Sequence, residues 1–214
     1  GEDILKVLKS AEDDMYKNKI IESHSNRNQT INTIINTLHE KNPREEQHSK
    51  RSSQICQYIG RVLGLSEIEL SKLETIALLH DIGKIAIDER ILNKPGKLGE
   101  SEWFEIRRHP EIGYRILNTS CDFSELADCI LAHHERWDGK GYPKGLKGEN
   151  IPLAARIIAL ADSFDAMTSE RPYRKALTKE EACQEILRNS GSQFDPEIAK
   201  IFIEKVLTMY DIHT

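Results

Sequence analysis

Ile76-Ala77-Leu78-Leu79-His80-Asp81-Ile82-Gly83-Lys84 passes from an apolar helical run straight into an imidazole, a carboxylate, a glycine and a lysine. Neighbouring side chains on a helix of about 3.6 residues per turn point roughly 100° apart. A His-Asp pair at the end of such a helix can therefore face two different cations, or bridge them through the carboxylate. The same residues also suit an ordinary helix C-terminus, with Gly83 as the stop and His80 satisfying the last carbonyls. The choice between these depends on whether further ligands lie elsewhere in the chain.

The surrounding sequence is helical in character. Gly and Pro are sparse, 12 and 7 among 214 residues, apolar positions recur at spacings of three and four, and no alternating apolar run appears. This predicts an all-α protein, and the length is enough to bury a substantial core. A net charge of −5 argues against a non-specific polyanion binder, so no nucleic-acid polymer is expected as a partner. No apolar stretch approaches the roughly 20 residues that cross a bilayer, and no signal peptide is visible. The four cysteines, Cys56, Cys121, Cys129 and Cys183, form no C-x-x-C pattern. They read as reduced thiols of a cytoplasmic protein. The chain begins at Gly1, and is read as part of a longer protein with upstream domains.

Residues 1–40 read as an N-terminal helical linker or signalling segment, with Ile4, Leu8, Met15, Ile31, Ile34, Ile35 and Leu38 on an apolar face. Within it, Ala11-Glu12-Asp13-Asp14-Met15-Tyr16-Lys17-Asn18-Lys19 resembles the closing helix of a diguanylate-cyclase-like (GGDEF) domain. The apolar face is expected to pair with a second copy, giving a homodimer. Residues 41–214 form the main domain. A helix spans about Glu45 to Leu63, with His48 in its first turn. Ser66 and Glu69 form a capping-box pattern opening the next helix, which ends at His80-Asp81. Helices follow from about Glu100 and from Pro110, and over about 124–134. Residues 137–150 form a glycine-rich loop, expected to be functional or mobile. Pro152 opens an apolar helix through Met167, Thr178 and Glu181 cap another, and Asp195-Pro196 starts the last.

Five of the eight histidines, His48, His80, His109, His133 and His134, sit where helices start or stop. Asp162 interrupts the apolar run Ile157-Ile158-Ala159-Leu160-Ala161, an expensive place for an unpaired carboxylate. Each residue alone has an ordinary explanation as a cap, a surface group or a salt-bridge partner. Together, five imidazoles and two carboxylates exceed one tetrahedral site and suit two octahedral first-row ions sharing a carboxylate. Two cations about 3.5–4 Å apart form a clamp for displacement at phosphorus. Histidine-rich ligation favours iron or manganese over calcium or magnesium.

The ordered set His80-Asp81-Ile82-Gly83-Lys84, His109-Pro110-Glu111-Ile112-Gly113, His133-His134-Glu135-Arg136-Trp137-Asp138-Gly139-Lys140-Gly141-Tyr142-Pro143, Asp162-Ser163-Phe164-Asp165-Ala166-Met167 and Arg171-Pro172-Tyr173-Arg174 resembles the HD-GYP family of HD-domain phosphohydrolases over about residues 43–205. The resemblance implies an HD-domain helical bundle and a phosphodiesterase that hydrolyses cyclic di-GMP with a metal-bridging hydroxide. It implies that His48, His80, Asp81 and Asp162 hold one metal. Asp81 would bridge to a second, held by His109, His133 and His134. Lys84 would meet the scissile phosphate, with Arg171 and Arg174 as a cationic grip on the phosphates. Asp165 is expected to face the same pocket on the substrate side. Gly141-Tyr142-Pro143 is read as shaping the loop beside it, with Tyr142 a substrate-side residue.

The chain departs from the family pattern at one point. Members with a third metal carry a glutamate four residues before the first ligand histidine, where this chain has Arg44. Glu45 and Glu46 are adjacent, but at other angular positions. Two metals and a linear pGpG product are therefore expected, in preference to complete breakdown to GMP. The rival readings are a low-activity cyclic di-GMP sensor, a phosphohydrolase acting on another nucleotide, and an enzyme for a related cyclic dinucleotide such as cyclic GMP-AMP.

Overall fold

Pro43, a residue type whose fixed φ suits a first helical turn, opens helix α1, Pro43–Val62. In the computed structural model, residues 43–118, 123–170 and 175–207 are described, together with Thr33 and Asn36. Most of residues 1–40, including the GGDEF-like stretch and the apolar face, lie outside the described residues, as do Cys121, Arg171 and Arg174. By its internal contacts the chain divides into Gly1–Lys41 and Asn42–Thr214.

The second unit is helical, as the periodicity predicts. After α1, Ser66 caps α2, Glu67–Leu79, through a reciprocal box in which Ser66 N–H donates to Glu69 Oε2 at 2.8 Å. A 3₁₀ turn, Ile82–Ala86, and a short helix α3, Glu89–Leu92, occupy the connection that composition marks only as turn-rich. There follow α4 (Glu100–Ile106), α5 (His109–Leu117), α6 (Ser124–Ala132) and α7 (Leu153–Thr168). Thr178 and Glu181 form the second expected box, opening α8 (Lys179–Arg188). Asp195 caps α9, Pro196–Ile201, which runs on into a π turn, Phe202–Val206. No strand occurs among the described residues, and no described helix is long and apolar enough to cross a membrane.

α7 is the central element. Ala155, Ile157, Ile158, Leu160, Ala161 and Phe164 are buried on several of its faces, so it reads as apolar nearly all round. It meets α1, whose Ile55, Cys56 and Ile59 are fully buried, and the Phe164 ring packs edge-on against Phe202 at 4.9 Å. Each Ile, Leu or Phe among them contributes roughly 1.5–3 kcal/mol by leaving water. α1 also packs on α2, and α5 packs on both α6 and the 3₁₀ turn. The ends of α2 and α6 and the start of α5 are thereby gathered near the middle of α7.

The glycine-rich loop is more firmly held than its composition predicts. Glu135, buried, accepts hydrogen bonds from the backbone N–H groups of Lys144 and Leu146 at 2.7 and 3.0 Å. Trp137 and Asp138 donate their backbone N–H groups to Gln193 and Ser192 carbonyls. Ile151 packs with Ala132 and Ala155, and Leu146 rests on them. Arg156 links three parts: it donates to the Ile151 carbonyl at 3.0 Å, pairs with Asp195 at 2.6 Å and lies over the Trp137 ring. Asp195 is buried and also caps α9, so removing its cation leaves a buried charge. Arg156→Ala is expected to cost about 3 kcal/mol in urea unfolding, the scale of a broken buried pair. A cost in the surface range of roughly 0–1 kcal/mol would contradict this packing.

Candidate metal centre

Three histidines follow one local rule. His80, His109 and His133 each place Nδ1 against the carbonyl three residues earlier, those of Ala77, Ile106 and Ile130, at 2.7, 2.7 and 2.5 Å. A carbonyl only accepts, so each Nδ1 donates, and in the neutral ring Nε2 is left as a bare lone pair. These rings are buried and their Nε2 atoms converge. His109 Nε2 and His133 Nε2 are 3.1 Å apart, and His80 Nε2 is buried with no hydrogen-bond partner. Lone pairs facing one another in a buried site repel unless a cation lies among them. The same donation to a backbone carbonyl is how a metal-ligating histidine is commonly oriented.

Asp81, itself buried, stands between two such sets. Its Oδ1 is 3.2 Å from His109 Nε2; its Oδ2 is 3.4 Å from His80 Nε2 and 3.9 Å from His48 Nε2. His109, His133 and His134 form one group whose ligand atoms lie within 4.8 Å of one another, and His48, His80 and Asp162 form another. These residues fit two cations sharing Asp81. Gly83 makes the arrangement possible, because a Cβ there would lie 1.9 Å from the His109 carbonyl oxygen. Its role is close approach of two backbones rather than the helix stop considered from composition.

The ionisation pattern suits the same use. Burial pushes His133 well down, and the neighbouring imidazoles His134 and His109 push it further; burial and His109 lower His134 to about 3. His109 is also lowered, by burial against the pull of Asp81. All three are thus neutral, with a lone pair available to a cation. Burial alone would raise the Asp81 carboxyl, but Lys84, His80 and His109 hold it well below the usual carboxylate range. Burial would lower His48, yet its hydrogen bonds to Asp162 and Asp165 raise it to about 10. A cation between His48, His80 and Asp162 would take the place of that extra proton.

Residues 32–198 match the family model described as HD domain. This chain belongs to the HD domain family. Its relatives place it in the HD-GYP branch. The HD-GYP chain is 42% identical over 183 residues to a cyclic di-GMP phosphodiesterase of Thermotoga maritima, covering 84% of this chain and 50% of the relative. It is 49% identical over 149 residues to the cyclic di-GMP phosphodiesterase response regulator RpfG of Xanthomonas campestris, covering 69% and 39%. Among solved structures it resembles a cyclic GMP-AMP specific phosphodiesterase of Vibrio cholerae, with a TM-score of 0.61, 26% identity and coverage of 86% and 49%. The chain thus spans about half or less of the length of these relatives. HD-domain phosphodiesterases are metal-dependent, in keeping with the His/Asp groups found here.

The remaining expected residues of this HD-GYP domain fall into place unevenly. Lys84 Nζ lies 2.6 Å from Asp81 Oδ2. Tyr142 stacks on the His134 ring at 4.9 Å. His48 lies further into its helix than expected, because α1 starts at Pro43. Asp165, expected to face substrate, is buried behind His48: its Oδ2 accepts from His48 Nδ1 at 2.6 Å and its Oδ1 from Arg51 Nε at 2.5 Å. Those bonds occupy the carboxylate and aim it at the protein. Glu45, set aside on angular grounds, does reach the centre. Glu45, His48 and Asp81 form a third group, but Lys84 Nζ sits on Glu45 Oε2 at 3.1 Å. A spacing of three from His48 is the available signal for both Glu45 and Arg51. Since Asp165 orients His48, Asp165→Asn is expected to weaken binding of one cation by about 10–100-fold in chelator competition. Unchanged affinity for both cations would remove that role.

Proposed function

We propose that this domain is a metal-dependent phosphodiesterase that cleaves cyclic di-GMP to linear pGpG. The observation that carries the reading is Asp81, whose two oxygens face two separate histidine groups while its partner Lys84 stands beside them. Two bound cations would supply an activated water and Lewis acidity toward phosphoryl oxygens. The chain's own residues do the rest. Asp81 holds both groups in register. Lys84, partly buried, keeps a fixed positive charge where a phosphoryl oxygen gathers negative charge. Burial would lower this ammonium, but Asp81 and Glu45 raise it above its ordinary value, so it stays charged. Arg171 and Arg174 are proposed as the outer grip on the phosphates by family resemblance.

The count of two cations is supported by Lys84. Its ammonium neutralises Glu45 and Asp81 at the third group, and Arg44 takes the position of the glutamate seen in three-metal members. Iron or manganese is the proposed identity, from the predominance of imidazole donors. The second reading, a related cyclic dinucleotide, is favoured by the likeness to the cyclic GMP-AMP specific enzyme. Residues 1–40 are proposed to carry input from an upstream sensory or GGDEF-like domain and to dimerise. The domain is proposed to work in the cytoplasm, a setting with which the free thiols of Cys56, Cys129 and Cys183 agree.

A metal-defined product assay on anaerobically prepared protein tests the main reading. Wild type is expected to hold two ions and to release pGpG. Asp81→Ala is expected to lose both metal and turnover, and retained turnover would sink the assignment. Lys84→Ala is expected to keep its metal while turnover falls about 10²–10³-fold. Three ions at full occupancy would refute the count. Light scattering with and without residues 1–40 tests the dimer: one mass per chain in both forms would refute it.

A further inference from the structure

Arg107, at the C-terminal end of α4, takes no part in the metal groups. Its guanidinium carbon lies 5.2 Å from the Tyr142 ring centroid and 5.9 Å from that of Trp103. Tyr142 in turn stacks at 26° on His134, a member of one histidine group. A ladder of planar groups therefore runs from the metal centre outward: His134, Tyr142, Arg107, Trp103. Arg107 is exposed, and its side chain has no ion pair or hydrogen bond among the described residues. Trp103 is 48% exposed, so a face of its indole is open to a stacking partner. An Arg four residues after a Trp is a common helix-surface pair, and that alone would mean little. Here the guanidinium also meets a ring from a distant, pinned loop, so its plane is fixed while its N–H donors stay free.

A guanidinium edge held beside an exposed indole suits a ligand that offers two adjacent acceptors and a stacking face. Guanine presents two adjacent acceptors, O6 and N7, which a planar Arg fork meets with two hydrogen bonds. Adenine offers a donor in place of the first. The indole supplies a stacking face for a base. Resting on the phosphodiesterase reading, we propose that Trp103 and Arg107 form the base-binding rim of this site. Arg107 reads the acceptor edge of a guanine whose phosphate lies at the metal centre. The rim takes cyclic dinucleotides that carry guanine and disfavours those with adenine alone.

The test compares two phosphodiesters on the full metal-loaded chain: cyclic di-GMP, and bis(p-nitrophenyl) phosphate, which has no base edge. Arg107→Ala is expected to lower the ratio of the two kcat/KM values about tenfold or more, chiefly through KM for cyclic di-GMP. Trp103→Phe is expected to abolish the quenching of intrinsic fluorescence that cyclic di-GMP causes in wild type. An equal loss of cyclic di-AMP binding in Arg107→Ala would show that charge alone matters and overturn base reading. Equal losses on both esters would reduce the rim to a structural contact. If wild type cleaves cyclic di-GMP and the variants match it, only the rim assignment fails. If wild type cleaves the small ester but neither binds nor cleaves any cyclic dinucleotide, the substrate reading fails and takes the rim with it.

Discussion

Everything in the helical unit from residue 42 onward is arranged around the mutual repulsion of buried lone pairs. Imidazole nitrogens from the ends of α2 and α6 and the start of α5 converge with the oxygens of Asp81 in a buried space, and each ring is locked by donating its other nitrogen to the carbonyl three residues before it. Such a centre is unfavourable by itself, because desolvated acceptors face acceptors. It persists because the apolar contacts of α1, α2 and α7 over-determine the helix positions, and because two cations would convert the repulsion into attraction. The fold and the centre are therefore opposed without metal and cooperative with it.

Lys84 shows how charge is balanced within that centre. The site gathers Glu45, Asp81 and Asp162 near His48, and a mobile cation is not the only way to compensate them. A tethered ammonium between Glu45 and Asp81 neutralises one corner permanently. A covalently attached charge cannot be lost to a chelator or exchanged, whereas a bound ion can be. The corner filled by Lys84 thus differs in kind from the two imidazole-rich groups.

Much of this is legible in the sequence, and the gaps have physical causes. Capping boxes at Ser66 and Thr178, and the starts at Pro152 and Asp195, mark helix boundaries because they depend on local hydrogen bonds. The histidines at helix ends and Asp162 in an apolar run are visible as local anomalies. Asp165, Glu45 and Arg107 escape a reading of the sequence because their meaning depends on partners far along the chain. Asp165 sits three residues from Asp162, close enough to imply the same pocket, yet Arg51 and His48 turn it into a support. An angular argument sets Glu45 aside only by ignoring the length of its side chain. The loop over 137–150 has a mobile composition because its anchors, Glu135 below and residues 192–193 beside it, are not written in its own residues.

The contact at Gly83 has a consequence for how this domain can diversify. There the spacing between two ligand-bearing segments is set by backbone against backbone, with a Cβ at Gly83 falling 2.7 Å from Gly113 N as well as on the His109 carbonyl. No side chain mediates the distance, so none can be exchanged to tune it. Descendants of this sequence can alter which bases, partners or signals they accept by changing residues at the rim. The interval between the segments that carry Asp81 and His109 is inherited almost as a fixed length, and new substrates must be fitted to it.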